Sequence, residues 1–336
     1  MAKGKITKIL VIRFSSIGDI VLTTPILRCL SVQTGAEIHF LTKSAYSSLL
    51  RPNPYISRIW ALEDSMSSLL PALHREGFDY IVDLHKNLRT WRTRFFLGVP
   101  GSSFPKLNLA KWLMVNLKVN RLPDRHIVDR YFDAVKSLGV RYDGAGLDHF
   151  FPDDDTPKLP GIRGGRIPKD LVCFAIGGAH STKRLPMEQL KKICLELPNP
   201  IVLIGGASEA SAGKQLAALD PDRIYDLCGQ VGLHESAKWI RESSVLITHD
   251  TGMMHLGAAL RKRIVSIWGN TIPAFGMYPF YPEGASPAFI SEVLELSCRP
   301  CSKIGFDVCP KGHFNCMQGQ NILQILDQVK KETELR

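Results

Sequence analysis

Short, unbroken apolar runs, each closed by Gly, Asp or His and followed by a helical pattern, recur along both halves of this chain. In the first half they are residues 9–14, 37–41, 58–60 and 79–83. In the second half they are 171–176, 200–204, 223–225, 245–248 and 264–268. A strand with one wet face alternates in polarity, whereas a strand covered on both faces does not. Continuous runs alternating with helices therefore predict βαβ units and an α/β class, with two Rossmann-like doubly wound domains facing a central cleft. No short-period repeat is present, which excludes solenoids and propellers. In such sheets ligands bind beyond the carboxyl ends of the strands, so the loops after the runs are where chemistry is expected.

The seam between the halves is Pro152–Pro168, with four prolines, three acids and three glycines in seventeen residues. Such a stretch holds no regular structure and places the boundary near residue 160. The expected domains are 1–160 and 161–320. Residues 321–336 are expected to form a C-terminal helix packing back on the first domain. The longest apolar runs, such as Ile9–Ile12 and Ile201–Ile204, are far short of the roughly 20 residues a membrane span needs. The basic start, Met1–Lys8, leads into a stretch broken by Arg13 and Asp19, unlike a signal peptide. A cytoplasmic protein with its eight cysteines reduced is the expectation.

Charge is unevenly placed. Of the net +10, residues 1–150 carry +9, with 21 Lys and Arg against 12 Asp and Glu. Between Lys86 and Arg130 there are ten basic residues and two acidic ones. This half suits an anionic partner: nucleic acid, an anionic membrane or a phosphorylated substrate.

Four loops carry polar clusters. The first run leads into Ser15-Ser-Ile-Gly-Asp19, where Ser16 and Gly18 suit a tight turn with backbone N–H groups open to an anion. Asp19 stands at the helix start, where a carboxylate is ionised and serves either as a cap or as a general base. The run at 245–248 leads into His249-Asp-Thr-Gly-Met-Met-His255, with Asp250 at the strand end and Thr251 and Gly252 at a helix start suited to a phosphate. Gly177-Gly-Ala-His-Ser-Thr-Lys-Arg-Leu-Pro186 allows close backbone approach at Gly177 and Gly178, with Lys183 and Arg184 able to meet a pyrophosphate. It lacks the Walker pattern. Glu209, in Gly205-Gly-Ala-Ser-Glu209, is either a ribose-binding acceptor or an exposed first-turn glutamate.

Taken together these stretches resemble the ADP-heptose:lipopolysaccharide heptosyltransferases, glycosyltransferase family 9. The resemblance rests on Lys8–Pro25, Asp250–Ala259, Gly177–Pro186 and Asp83-Leu-His-Lys-Asn-Leu-Arg89. The family's frequent Lys-x-Trp-Pro reads Lys183-Arg-Leu-Pro186 here. The resemblance implies the GT-B fold and an inverting, metal-independent transfer of heptose from ADP-heptose to a Kdo-lipid A or heptosylated core acceptor. It makes Asp19 the catalytic base. Ser16, Gly18, Gly177, Gly178, Lys183, Glu209, Asp250, Thr251, Gly252, Met253 and His255 would bind the donor; Lys86, Asn87, Arg89 and Arg92 would bind the acceptor. No cofactor is implied. The expected partners are the donor, the anionic lipopolysaccharide core and, peripherally, the cytoplasmic face of the inner membrane; nucleic acid is not among them. The competing readings are a GT-B sugar-nucleotide epimerase and a non-enzymatic basic protein binding membrane or nucleic acid.

Trp91, Phe95, Phe96 and Trp112 are interleaved with Arg92, Arg94 and Lys111, as on a basic membrane-docking surface or on a solvated basic helix whose aromatics pack inward. Asp153-Asp-Asp155 has the spacing of a metal-binding pair but lies in the linker, and reads as solvated. Cys298, Cys301, Cys309 and Cys316, with His313 among them, have partial zinc-site spacing; reduced thiols and no metal are expected. Cys29, Cys173, Cys194 and Cys228 read as core.

Overall fold

The structure, a computed structural model, describes residues 6–63, 65–153, 155–157, 167–285 and 288–334. Its contacts divide the chain into two units. The first comprises 1–107 and 125–153, the second 108–124 and 154–336. Within the expected linker, residue 154 and residues 158–166 lie outside the described residues. Asp155 is described and pairs with Lys238.

The first unit holds β1 (Lys8–Ile12), β2 (Glu37–Lys43), β3 (Arg58–Leu62), β4 (Tyr80–Asp83) and β5 (Gly101–Ser103). All pair in parallel in the order β3-β2-β1-β4-β5, with Ile9 opposite both Ile38 and Tyr80. The second unit holds β6 (Val172–Ala175), β7 (Ile201–Ile204), β8 (Ile224–Asp226), β9 (Val245–His249), β10 (Arg263–Trp268) and β11 (Phe289–Glu292). These are parallel too, in the order β8-β7-β6-β9-β10-β11. Each sheet reverses direction once, at β1/β4 and at β6/β9. Those reversals are the topological switch points where α/β sheets bind ligands. Three of the four loops singled out in the sequence follow β1, β6 and β9, and the fourth follows β7.

The α/β reading with two doubly wound sheets is therefore correct, and its continuous apolar runs are the central strands. Ile9 to Ile12 are fully buried, as are Val172 to Phe174 and Val245 to Ile247. The two strands that the sequence did not reveal, β5 and β11, are both edges. An edge strand is covered less completely, so it needs no apolar run; β5 reads Gly-Ser-Ser.

Two departures concern segments. The C-terminal helix, Ile322–Glu334, does not lie on the first unit. Its face of Ile322, Ile325, Leu326 and Val329 belongs to the core of the second, with Val172, Ile193 and Val265. Residues 108–124 also group with the second unit, although they precede the expected boundary. There the Lys118 ammonium donates to the carbonyls of Cys298 (3.0 Å) and Pro300 (2.8 Å), and Lys111 lies 5.7 Å from the Phe275 ring centre.

Candidate active site

In the first unit the site starts from a buried cation. A strand covered on both faces leaves no water for Arg13, one residue beyond β1, so its guanidinium must find partners. Nε donates to the Ser15 carbonyl (2.8 Å), Nη1 to the Leu84 carbonyl (2.6 Å), and Nη2 pairs with Asp19 Oδ1 at 2.5 Å. The helix after the turn, Ile17–Val21, is short, and Ser16 is its N-cap. Asp19 is therefore the third helical residue rather than the cap. Its Oδ2 accepts the Ser16 N–H (3.2 Å) and O–H (3.1 Å). The Ser16 N–H expected to be open to an anion is thus taken by Asp19. Burial pushes the Asp19 carboxyl upward, but Arg13 and the Ser16 N–H more than reverse this, and its pKa ends below the ordinary value. Gly18 is buried in the same turn.

Around this pair stand groups from distant parts of the chain. The His85 ring packs edge-on against Phe14, centres 5.0 Å apart, and its buried Nδ1 has no hydrogen-bond partner among the described residues. Burial, then Arg13 and Lys106, depress the His85 pKa to about 4, so it is neutral at pH 7. Lys106 is lowered as well, by burial and then by Arg13. The phenol of Tyr131 is fully buried and raised by that burial. Asp83 closes the loop after β4 by accepting the N–H groups of His85 (3.0 Å) and Lys86 (2.7 Å).

Of the four expected acceptor residues, Asn87 is the N-cap of the helix Leu88–Leu97, its side chain accepting the Thr90 N–H at 2.9 Å. Lys86 donates to the Phe104 carbonyl (3.0 Å). Arg89 and Arg92 are exposed and, with Asn87, Met66 and Leu70, line a groove of about 590 Å³. Arg89 also lies 5.6 Å from the Phe14 ring centre. Arg13, His85, Lys106 and Tyr131 escaped the sequence reading. Only Arg13 left a signal there: a cation at the end of a covered parallel strand.

The second unit gathers its loops at the β6/β9 switch. Lys183 pairs with Asp250 Oδ2 at 2.6 Å and reaches the Asp250 carbonyl at 3.2 Å; Thr271 donates to the same carboxylate at 2.7 Å. Thr251 precedes the helix Gly252–Ala259, and among the described residues no side chain caps it. Its first N–H groups therefore carry the partial positive charge of a helix start. Met253 is half-buried, while His255 lies buried in the same helix. Glu209 is neither exposed nor open. Oε2 accepts the Gly206 N–H (2.9 Å), and Oε1 accepts Ser208 and pairs with Arg184 at 2.9 Å. At Gly177 a Cβ would stand 2.9 Å from Glu209 Oε2 and would displace that carboxylate. At Gly178 a Cβ would stand 3.2 Å from Arg184. Arg184 thus braces Glu209 and leaves Lys183 as the cation on Asp250.

His249 ties the β6 and β9 loops together. Its Nε2 accepts the Leu185 N–H (3.0 Å), which leaves the proton on Nδ1, facing the Gly177 carbonyl at 3.3 Å. Burial depresses its pKa to about 4, the Gly177 bond partly opposing. An unfolded His titrates near 6.5, so as pH falls below that value the unfolded chain binds protons that this folded site refuses. Stability should therefore fall between about pH 6.5 and pH 4. His249→Gln should flatten that slope, read as urea midpoints against pH.

Cys29, Cys173, Cys194 and Cys228 are buried, as expected. In the C-terminal set, Cys298 Sγ lies 3.8 Å from His313 Nε2, and the Cys301 thiol donates to the Cys298 carbonyl. Burial and then the neighbouring Cys298 raise Cys301 to about 11, so it holds its proton at pH 7. Protein purified without added metal should show well under one zinc per chain, and serine at Cys298 and Cys301 should leave activity intact. Stoichiometric zinc whose chelation melts the protein would contradict this.

Comparison with known proteins then places the chain. Two curated relatives are lipopolysaccharide heptosyltransferase 1 of Campylobacter coli, 22% identical and covering 79% of this chain and 84% of its own, and lipopolysaccharide heptosyltransferase 2 of Escherichia coli K12, 24% identical and covering 80% and 84%. Among solved structures, the glycosyl transferase family 9 protein of Veillonella parvula superposes with a TM-score of 0.74 at 20% identity, over 98% of both chains. ADP-heptose LPS heptosyltransferase II of E. coli does so at 0.69 and 17%, over 98% of this chain and 99% of that one. Both share the architecture of two parallel-sheet α/β domains expected of a GT-B protein. The family described as glycosyltransferase family 9 (heptosyltransferase) matches residues 66–305, most of the chain, and to that family the protein belongs.

Proposed function

We propose that this glycosyltransferase moves a heptose from ADP-heptose to the inner core of lipopolysaccharide, with inversion and without a metal. The observation that carries the reading is the Lys183–Asp250 pair beside the uncapped start of Gly252–Ala259, at the switch point of the second sheet. A nucleotide sugar brings its own leaving group, so the enzyme must stabilise charge on the departing diphosphate. Lys183 and the N–H groups after Thr251 supply fixed positive charge for this. Gly177 and Gly178 let the backbone come close, while Met253 and His255 complete the donor cradle. Glu209 holds the loop's shape through Gly206 and Arg184.

The acceptor hydroxyl needs a base. Asp19 is ionised at neutral pH; Oδ2 is occupied by the Ser16 N–H and O–H, while Oδ1, paired with Arg13 Nη2, keeps a second lone pair for a proton. As the hydroxyl oxygen bonds to the anomeric carbon, its proton passes to Asp19. The bond to the diphosphate breaks on the opposite face, so the configuration inverts. Lys86, Arg89 and Arg92, on a stretch without acids, suit the phosphates and carboxylates of a Kdo-lipid A or heptosylated core. Such an acceptor lies at the cytoplasmic face of the inner membrane, which the protein meets peripherally. The relatives named for heptosyl transfer to lipopolysaccharide support the same substrates.

Thermal shift with ADP, UDP and GDP tests the donor, because a ligand that binds the native state raises its stability by mass action. ADP should shift the melt most. Indifference to all three nucleotides would sink the reading, and preference for UDP would turn it toward a sugar-nucleotide epimerase.

A further inference from the structure

One helix of the first unit presents an apolar stripe to solvent. In Leu88–Leu97 the inward residues are Thr90, Thr93 and Leu97. Leu88, Trp91 and Phe95, spaced three and four apart on one face, are 64%, 58% and 78% exposed, and Phe96 beside them is 51% exposed. The Trp91 and Phe95 rings stack on each other, 5.7 Å apart at 16°, rather than on the core. Arg94, in the last turn, donates to the Gly101 carbonyl at 2.7 Å and ties the helix to β5. Exposed Arg89 and Arg92 flank the stripe. From Leu84 to Pro123 the sequence contains no acidic residue and eight basic ones.

We propose that this stripe docks the protein on an anionic lipid surface, with Leu88, Trp91 and Phe95 entering the interface and Arg89 and Arg92 at headgroup level. The inference deepens the proposed function and rests on its lipid-borne acceptor. Aromatic and aliphatic residues on one face with arginines beside them form an interfacial helix. The arginine stems lie along the apolar zone while their heads stay among phosphates. Charge chooses the occupant: a second copy would bring arginine against arginine, whereas an anionic bilayer meets them with the opposite sign. A second helix with several exposed apolar residues, Asn108–Leu117, shows Leu109, Trp112 and Leu117 but carries Lys111 alone. It lacks the charge that draws a protein to such a surface.

Cosedimentation of the full chain with phosphatidylglycerol vesicles and with phosphatidylcholine vesicles tests this. Partitioning should be at least about tenfold stronger on the anionic vesicles and should weaken as salt is added. Trp91→Ser with Phe95→Ser should lower it at least about tenfold, while the melting temperature, the ADP shift and turnover on a deacylated acceptor stay as in the wild type. Phe95→Glu, at the most exposed position of the stripe, is a second variant that leaves packing alone and should act in the same direction. Unchanged partitioning in both variants overturns the proposal. So does equal binding to both lipids, a loss confined to Leu109→Ser with Trp112→Ser, or a dimer that the stripe variants dissociate. Vesicle binding that behaves as described, in a protein that moves no heptose to any acceptor, refutes the proposed function and leaves the docking surface standing.

Discussion

Asp19→Asn should lower turnover by at least about 10²-fold while leaving ADP affinity as in the wild type, because an amide cannot take the proton of the acceptor hydroxyl. The amide keeps an oxygen for the Ser16 N–H and O–H, so the turn should survive. Arg13 is harder to satisfy. It keeps the carbonyls of Ser15 and Leu84 but loses the carboxylate at 2.5 Å, and a buried cation short of its counter-charge destabilises. A stability loss of about 1–3 kcal/mol should accompany the rate loss. Rates must therefore be measured per folded molecule, below the shifted melt. The pH profile gives a second check. Asp19 titrates below the ordinary carboxylate value, so it adds no limb to kcat/KM between pH 5 and 8. The stability of the Arg13–Asp19 pair is present above the unfolded carboxyl value near 3.8 and is lost as pH falls through the lower folded value. Near wild-type turnover in a folded Asp19→Asn protein would remove Asp19 as the base.

Lys183→Met should lower kcat/KM for the donor by about 10²–10³-fold, the usual effect of deleting one fixed positive group from a developing anion. Methionine preserves most of the length and apolar bulk of lysine, so the loss reports charge. The buried Asp250 carboxylate keeps the Thr271 hydroxyl at 2.7 Å but loses its cation, so a stability loss should accompany the rate loss and rates must again be taken per folded molecule. Asp250→Asn separates positioning from charge. It frees Lys183 from its partner at 2.6 Å without removing it, so donor affinity should change less than with Lys183→Met. Equal damage from both, tracking a drop in melting temperature, would mean that the pair serves only the fold.

How much of this was visible in the chain depends on where each residue stands. Central strands announce themselves because both faces are covered, as with Ile9 to Ile12. The edges β5 and β11 do not, because their packing is partial. Asp19, Lys183, Asp250 and Thr251 were legible since each follows a recognisable strand by a few residues. His85, Lys106 and Tyr131 were not, because what gives them meaning is the Arg13 charge, and no spacing connects residues so far apart in sequence. Glu209 was found but its burial was not: its partner Arg184 lies 25 residues away in the chain. Asn87, which the resemblance assigns to the acceptor, also caps its helix, a role that Asn fills wherever a helix starts.

The assignment of residues 108–124 to the second unit changes how the protein can be taken apart. The polypeptide passes between the units three times, near residues 107, 124 and 153, so no single cut yields two whole pieces. A fragment ending at 153 would carry the Asn108–Leu117 helix without the groups that receive it. The complementary fragment would leave the Cys298 and Pro300 carbonyls without the Lys118 ammonium and the Phe275 ring without Lys111. Hybrid enzymes that exchange second units between relatives would inherit the same defect if joined only at the proline-rich seam. A working chimera should move 108–124 together with everything after 153, grafting two segments rather than one.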